Sequence, residues 1–366
     1  MKKYFLLPLI MCSAFICADD GTIKESVKDG STMIVCSYSA IKKNETLPLS
    51  HFINDCKLIH FEDIDEALFK VWFTTVTDKY IGVRQQSGGA YKLFDSSGKF
   101  LCDIGSVGQG PGEYSIAIYD DLIDDKNEKV YITTLNADKI LVYDTSGKFI
   151  KNINAPHRLN KPKMYLSDDG ILTVVHMAFP GNKAIVIQFD SEGNVIKQLA
   201  PIPHLMAQNY DGEIFNTRNT SAFEFLYTGS DTLYHYNIKA NKIEPVFTVA
   251  VKSSEKPFRQ YIELNNMYIT NIWSENKTIL TDMKTKNSSY IKVRNDFWGN
   301  IEVRFSVVTL RNGRYVLNLE PGELIDLIEK RVKESDCSAQ DRQKLKTLQD
   351  SLDKNANNVL LVGKIK

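Results

Sequence analysis

Two stretches, YKLFDSSGKFLCDI (91–104) and ILVYDTSGKFIKNI (140–153), are written to one plan. Each is a run of alternating apolar and polar residues, then D-x-S-G, then a second alternating run. Alternation with period two places the apolar side chains on one face of an extended strand. The Asp can bond the backbone of its own turn, and the Gly supplies the positive φ that the turn needs. Each stretch is therefore a β-hairpin, and these Asp residues are turn formers rather than catalytic groups. IVIQFDSEGNVIKQL (185–199) is a third copy; TLYHYNIKANKIEPVF (232–247) and KTILTDMKTKNSSYIKV (277–293) are degenerate ones. The markers Asp95, Asp144, Asp190, Asn237 and Asp282 stand 49, 46, 47 and 45 residues apart.

Working outward, two more strand-like runs precede the hairpins. They are KVWFTTV (70–76) and KYIGVRQ (79–85) before the first, DDLIDDK (120–126) and KVYITTL (129–135) before the second, and RQYIEL (259–264) and MYITNIW (267–273) before the fifth. Four short antiparallel strands repeating at about 45–49 residues are the unit of a β-propeller blade. From Lys57 onward there is room for six blades, once a helical insertion at about 321–355 is set aside. In that insertion Leu324, Ile325, Leu327, Ile328 and Val332 recur at helical spacing, as do Leu345, Leu348 and Leu352. It interrupts a sixth blade begun by RFSVVTL (304–310) and RYVLNLE (314–320) and resumed by NVLLVGKIK (358–366). That blade lacks a fourth strand, which CKLIHFED (56–63) can supply. Pairing the two ends of the chain closes the ring and removes exposed edges. The expected fold is all-β: a six-bladed propeller over 56–366.

Composition narrows the class. Among 366 residues, 45 Lys and Arg balance 45 Asp and Glu, and 43% are hydrophobic. No basic excess exists to neutralise phosphates, so nucleic acid is not an expected partner. The chain opens MKKYFLLPLIMCSAFI (1–16), a basic pair and then a short apolar run, too short to span a bilayer and typical of a signal peptide. Cys17 follows, with Ala18, Asp19 and Asp20. A Cys in that place resembles a bacterial lipoprotein signal, with Cys17 as the lipidated residue, residues 1–17 as the signal, and Cys12 as the rival site. Residues 18–55 read as a tether. Cys36, Cys56, Cys102 and Cys337 match no zinc spacing. They are read as scattered thiols, with a Cys36–Cys56 disulfide as the alternative.

At GQGPGEY (108–114) the sequence becomes more specific. IGSVGQGPGEYSIAIYDDLIDDKNEKVYI (104–132), SDTLYHYN (230–237) and the tail LDKNANNVLLVGKIK (352–366) resemble the six-bladed β-propeller lipoproteins of certain Gram-negative bacteria, relatives of the NHL-repeat and TolB-like propellers. The resemblance covers about residues 47–366. It implies the propeller fold and a cell-envelope address, an outer-membrane lipoprotein held to the membrane by its lipid. No substrate or catalytic residue comes with it.

The chain holds no G-x-S-x-G, H-E-x-x-H or Walker A motif, so no catalytic residue, metal ligand or cofactor is assigned. Function is instead expected on the face formed by linkers from each outer strand to the next inner strand, because loops on a rigid scaffold carry binding. That face should present Gln109, Glu113, Tyr114, His157, Arg158, His204, Asn209, Tyr210, Arg259, Arg294, Asp296 and Trp298, with His176 on a neighbouring loop. RNDFWGN (294–300) combines charge with aromatics, as binding hot spots do. The expected activity is non-enzymatic binding of a protein, peptide or glycan, with an NHL-like lyase or hydrolase at the channel mouth as the alternative.

Overall fold

The structure, a computed structural model, describes residues 21–114, 117–251 and 257–366. Six four-stranded antiparallel blades form the ring. Blade 1 is Val71–Val76, Tyr80–Gln85, Tyr91–Asp95 and Phe100–Ile104; blade 2 is Ile118–Asp124, Lys129–Thr134, Asn136–Asp144 and Phe149–Asn160. Blade 3 is Lys163–Leu166, Leu172–Val175, Val186–Phe189 and Val195–Leu199; blade 4 is Ile214–Phe215, Phe223–Tyr227, Leu233–Asn237 and Lys242–Ala250. Blade 5 is Arg259–Leu264, Met267–Ile272, Lys277–Asp282 and Asn287–Asn295. Blade 6 is Thr309–Arg311, Arg314–Leu319 and Val359–Lys364, and its fourth strand is Lys57–His60, with Val359 opposite His60 and Val362 opposite Lys57. The two ends of the chain thus share one blade.

The hairpin turns follow their chemistry. Asp95 Oδ1 accepts from Ser97 N at 2.8 Å and Lys99 N at 3.1 Å, and Asp144 Oδ1 from Ser146 N at 2.9 Å and Lys148 N at 3.0 Å. Gly147 has φ 87, and a Cβ there would lie 2.6 Å from the Asp103 carbonyl oxygen of blade 1. The turn leans on the outer strand of the preceding blade, so glycine answers both the dihedral and the close approach.

Helices α1 (Pro321–Val332) and α2 (Ala339–Asp350) form the insertion. Each begins with a capping box, Glu320 with Glu323 and Ser338 with Asp341. Leu324, Ile328, Leu345 and Leu348 are buried in one cluster with blades 5 and 6.

The tether expected over 18–55 is, from residue 21 on, part of the folded body. Ile23–Lys28 and Ser31–Ser37 make a hairpin through Asp29 and Gly30, both at positive φ, as a two-residue turn requires. Ser31–Ser37 then adds in parallel to the outer strand of blade 4, Ile34 beside Phe247. Asn44–Pro48 adds in parallel to the outer strand of blade 5, Asn44 beside Tyr290. Met33, Cys36 and Ile41 are buried by this strap. Cys36 and Cys56 are free, as are Cys102 and Cys337. Cys36 lies 3.3 Å from Ser288 Oγ, while Cys56 faces Asn295 at 3.7 Å, so the alternative of a disulfide between them does not hold. Cys12, Cys17 and the signal segment lie outside the described residues. No helix among those described is long and apolar enough to cross a membrane.

Candidate functional site

The first strands of the six blades surround a central channel, which opens on the linker face into a cavity of ≈ 720 Å³. Its upper wall is aromatic: Trp72 and Phe73 from blade 1, Tyr119 from blade 2, Tyr210 and Phe258 from linkers, Trp273 from a blade 5 loop, and Phe305. Trp72 is 51% exposed and Trp273 49%, and Tyr210, Phe258 and Val307 are exposed beside them. Large side chains left in water around one opening form an apolar rim, the kind of patch that marks a binding surface.

Beneath the rim lies a buried charge cluster. Asp120 and Asp121, consecutive on the first strand of blade 2, have no exposure. Asp120 pairs with Arg218 and, at 2.6 Å, with Arg311 Nη2, and its Oδ2 accepts from Met164 N at 2.8 Å. Asp121 accepts from the Tyr91 hydroxyl at 2.9 Å and lies 3.0 Å from Arg84 Nε, an ion pair without the alignment of a hydrogen bond. Burial works to raise the Asp120 carboxyl, but Arg218, Arg311, Lys163 and Arg84 outweigh it and hold the group well below the usual carboxylate range. Glu224 accepts from Thr217 Oγ1 at 2.8 Å and Arg218 N at 2.9 Å, and burial raises its carboxyl. The guanidinium groups of Arg84 and Arg311 lie 4.4 and 4.9 Å from the Phe73 ring centre, and Lys163 Nζ lies 4.1 Å from that of Tyr119. Lys161 bridges Glu213 and the carbonyls of Tyr210 and Gly212, both 2.8 Å. Lys161 and Arg218 hold left-handed backbone, φ 48 and 56, uncommon for side chains of this size.

The residues expected on this face divide into three groups. Tyr210 reaches the cavity: it stacks on Phe179 with ring centres 5.1 Å apart, and its hydroxyl meets Asn160 Oδ1 at 2.6 Å. Exposed Arg158 stands close enough to oppose the rise that burial imposes on the Tyr210 hydroxyl. His157 and His176 converge, Nε2 to Nε2 at 3.2 Å, and His176 Nε2 also faces the Ala184 carbonyl at 3.0 Å. Burial and then His157 push His176 down to about 4. His204 does not join them; it lies 3.5 Å from Asp29 of the N-terminal hairpin. No cluster of three metal-ligating side chains occurs among the described residues.

The second group closes its own loop. Glu113 accepts from Gly110 N at 2.7 Å and Ser106 Oγ at 3.1 Å, which lowers its carboxyl, and exposed Gln109 sits in the loop so formed. Buried Tyr114 ties blade 1 by accepting from Tyr91 N at 2.8 Å and donating to Ile104 O at 2.9 Å. Asn209 caps its own turn through Asp211 N at 3.1 Å.

The third group is committed to holding the fold. Arg259 is buried on Asp231 and the Val249 carbonyl. Arg294 pairs with Glu334 beyond α1 at 2.8 Å, Asp296 accepts from Ser50 N at 3.0 Å, and Trp298 Nε1 donates to Cys56 O at 2.9 Å. RNDFWGN is therefore the seat of the helical insertion, away from the channel mouth. Its residue types suit a hot spot, but the helices that cover it come from elsewhere in the chain.

No motif in the sequence marks Arg84, Asp120, Asp121, Lys163, Arg218 or Arg311. The available signal was two adjacent Asp at the head of an inner strand and an Arg within KYIGVRQ. Charged residues at positions that alternation turns inward need partners, but those partners lie on other blades.

One solved structure shares this architecture. A crystal structure of a candidate exported protein from Bacteroides fragilis aligns with TM-score 0.62 at 15% identity, covering 88% of this chain and 99% of that one. A member of the duf4221 family from Bacteroides vulgatus aligns with TM-score 0.48 at 12% identity, over 85% of this chain and 97% of that one. None of the curated proteins compared with the chain matches it. Residues 32–364 match the family described as Domain of unknown function (DUF4934), and the chain belongs to that family.

Proposed function

We propose that the protein is a binding propeller of the cell envelope that receives its ligand, a glycan, a peptide or one end of a partner protein, in the central cavity, without transforming it. The observation that carries this is the ring of exposed Trp72, Tyr210, Phe258 and Trp273 around the cavity mouth. Flat aromatic faces at an opening give large contact area at little conformational cost, and the charged groups below can fix orientation. The envelope address rests on the signal-like first residues, with support from the likeness to a candidate exported protein from Bacteroides fragilis. Acylation of Cys17 would then hold the propeller at a membrane, and the mass of the mature N-terminal peptide tests that part.

The binding reading is tested by titrating oligosaccharide and peptide panels into wild type and the Trp72→Ala/Trp273→Ala double variant, following tryptophan emission and heat. Both positions are half exposed, so the variant should melt as wild type does and lose roughly tenfold or more in affinity for whatever binds. Undiminished binding by a folded double variant would sink the assignment.

A further inference from the structure

We propose that the floor of the cavity is an anion seat: it takes the carboxylate, sulfate or sulfonate group of a ligand whose flat apolar body lies against the aromatic wall, with Lys163 as the primary contact and Arg84 and Arg311 behind it. This deepens the binding reading above and rests on it.

Three observations carry the inference. First, Lys163 lines the cavity, and its nitrogen has one hydrogen bond, to the Tyr119 carbonyl at 3.2 Å. Among the described residues no carboxylate lies within ion-pair distance of it, whereas Arg84, Arg218 and Arg311 each have one. An ammonium carries three donors, so two remain for a ligand. Second, the charges do not balance. Four buried cations, Arg84, Lys163, Arg218 and Arg311, face Asp120, Asp121 and Glu224, and Glu224 is turned to the Thr217 and Arg218 backbone. Third, the Nε groups of Arg218 and Arg311 are buried without an acceptor among the described residues. Buried donors of this kind are rare in native proteins and each needs an explanation, a bound ion or water among them.

The geometry is preorganised for the task. Aromatic rings back Lys163, Arg84 and Arg311, so the cationic heads need little ordering when a ligand arrives. The groups facing Lys163 are Asp120 and Tyr119 from blade 2, Arg84 from blade 1, Arg311 from blade 6, and Arg218 from the segment before the second strand of blade 4. Burial, with the three arginines adding to it and Asp120 opposing, pushes the Lys163 ammonium down to about 7. An incoming anion restores the charge, so binding takes up a proton at mildly alkaline pH.

The test uses a matched pair of fluorescent probes, 8-anilinonaphthalene-1-sulfonate and N-phenyl-1-naphthylamine, which share an aromatic body and differ by the sulfonate. Wild type should bind the sulfonate tighter by roughly tenfold or more, as a charge-assisted hydrogen bond provides. The preference should shrink between pH 6.5 and pH 8.5. Lys163→Met keeps the side-chain length, removes a buried charge and should fold. It should erase the preference and leave the neutral probe unchanged, while Lys163→Arg should keep it. If wild type binds both probes equally, the anion seat is wrong and the aromatic cavity stands. If the sulfonate preference survives in folded Lys163→Met, or persists unchanged at pH 8.5, Lys163 is not the contact and the proposal falls. If neither probe binds, or Trp72→Ala/Trp273→Ala leaves both affinities intact, the cavity reading falls with it.

Discussion

Arg311 reaches across the channel to Asp120, Nη2 to Oδ1 at 2.6 Å, and so joins the last blade to the second. Arg218, ahead of the second strand of blade 4, pairs with the other oxygen of the same carboxylate, and blade 3 donates Met164 N to it. One side chain on blade 2 thus accepts from three other blades. Asp120→Asn keeps the shape and leaves two buried guanidinium groups short of charge. Removing one partner of such a pair costs about 3–5 kcal/mol. Urea unfolding should show a loss of this size; a change below about 1 kcal/mol would mean that water already reaches the cluster.

Trp298 separates a packing role from a binding role. Its indole donates to Cys56 O and packs in the cluster beneath the helices. Trp298→Ala should cost about 3 kcal/mol, the range for emptying a packed aromatic site. Arg294→Ala breaks a partly buried ion pair with Glu334 and should cost about 1 kcal/mol. Thermal melts of both, set beside half-exposed Trp72→Ala, should rank Trp298→Ala as the only strongly destabilised variant of the three.

Gly147 is the most informative turn position. Ala there meets φ 87 and the Asp103 carbonyl together. Stability should fall by more than about 1 kcal/mol. Gly170→Ala, at φ 83 but in open space, isolates the dihedral. Equal losses in the two variants would show that the neighbouring blade yields to the added methyl.

Between pH 6.5 and pH 4 the protein should lose stability through His176. Its folded value is down to about 4, so the unfolded chain binds the proton first as pH falls, and unfolding is favoured across that window. The full effect is of order 3 kcal/mol. Replacing His176 with Gln should flatten the curve there. Asp120 acts lower: its stabilisation is present above about pH 4, the ordinary carboxylate value, and is lost only in stronger acid. A His176→Gln curve that keeps the wild-type slope from pH 6.5 to pH 4 would show that His176 is not its source.

The ring could be read from the sequence because its unit is local. The Asp95 and Asp144 turns, the strand alternation around them and the unpaired runs at 56–63 and 358–366 each declare themselves within a few residues. The strap could not, since STMIVCS shows partial alternation and its partner strand is some two hundred positions away. Its one local mark was Asp29-Gly30. The cavity floor was hidden for a related reason: Arg84, Lys163, Arg218 and Arg311 look like ordinary surface charges until ring closure gathers them around Asp120 and Asp121. RNDFWGN erred the other way, since its side chains suit recognition but are occupied by helices inserted later in the chain.

The strap and the shared last blade set the order of assembly. Ile34 needs Phe247, Asn44 needs Tyr290, and His60 needs Val359. A ribosome makes the first member of every pair long before the second. The strap and the Lys57–His60 strand must wait without their blade partners while the middle blades form around local hairpins. Loop closure over such spans is slow and comes late. The N-terminal end, first to be made, is thus among the last to settle, and a nascent chain halted before residue 359 has no closed ring.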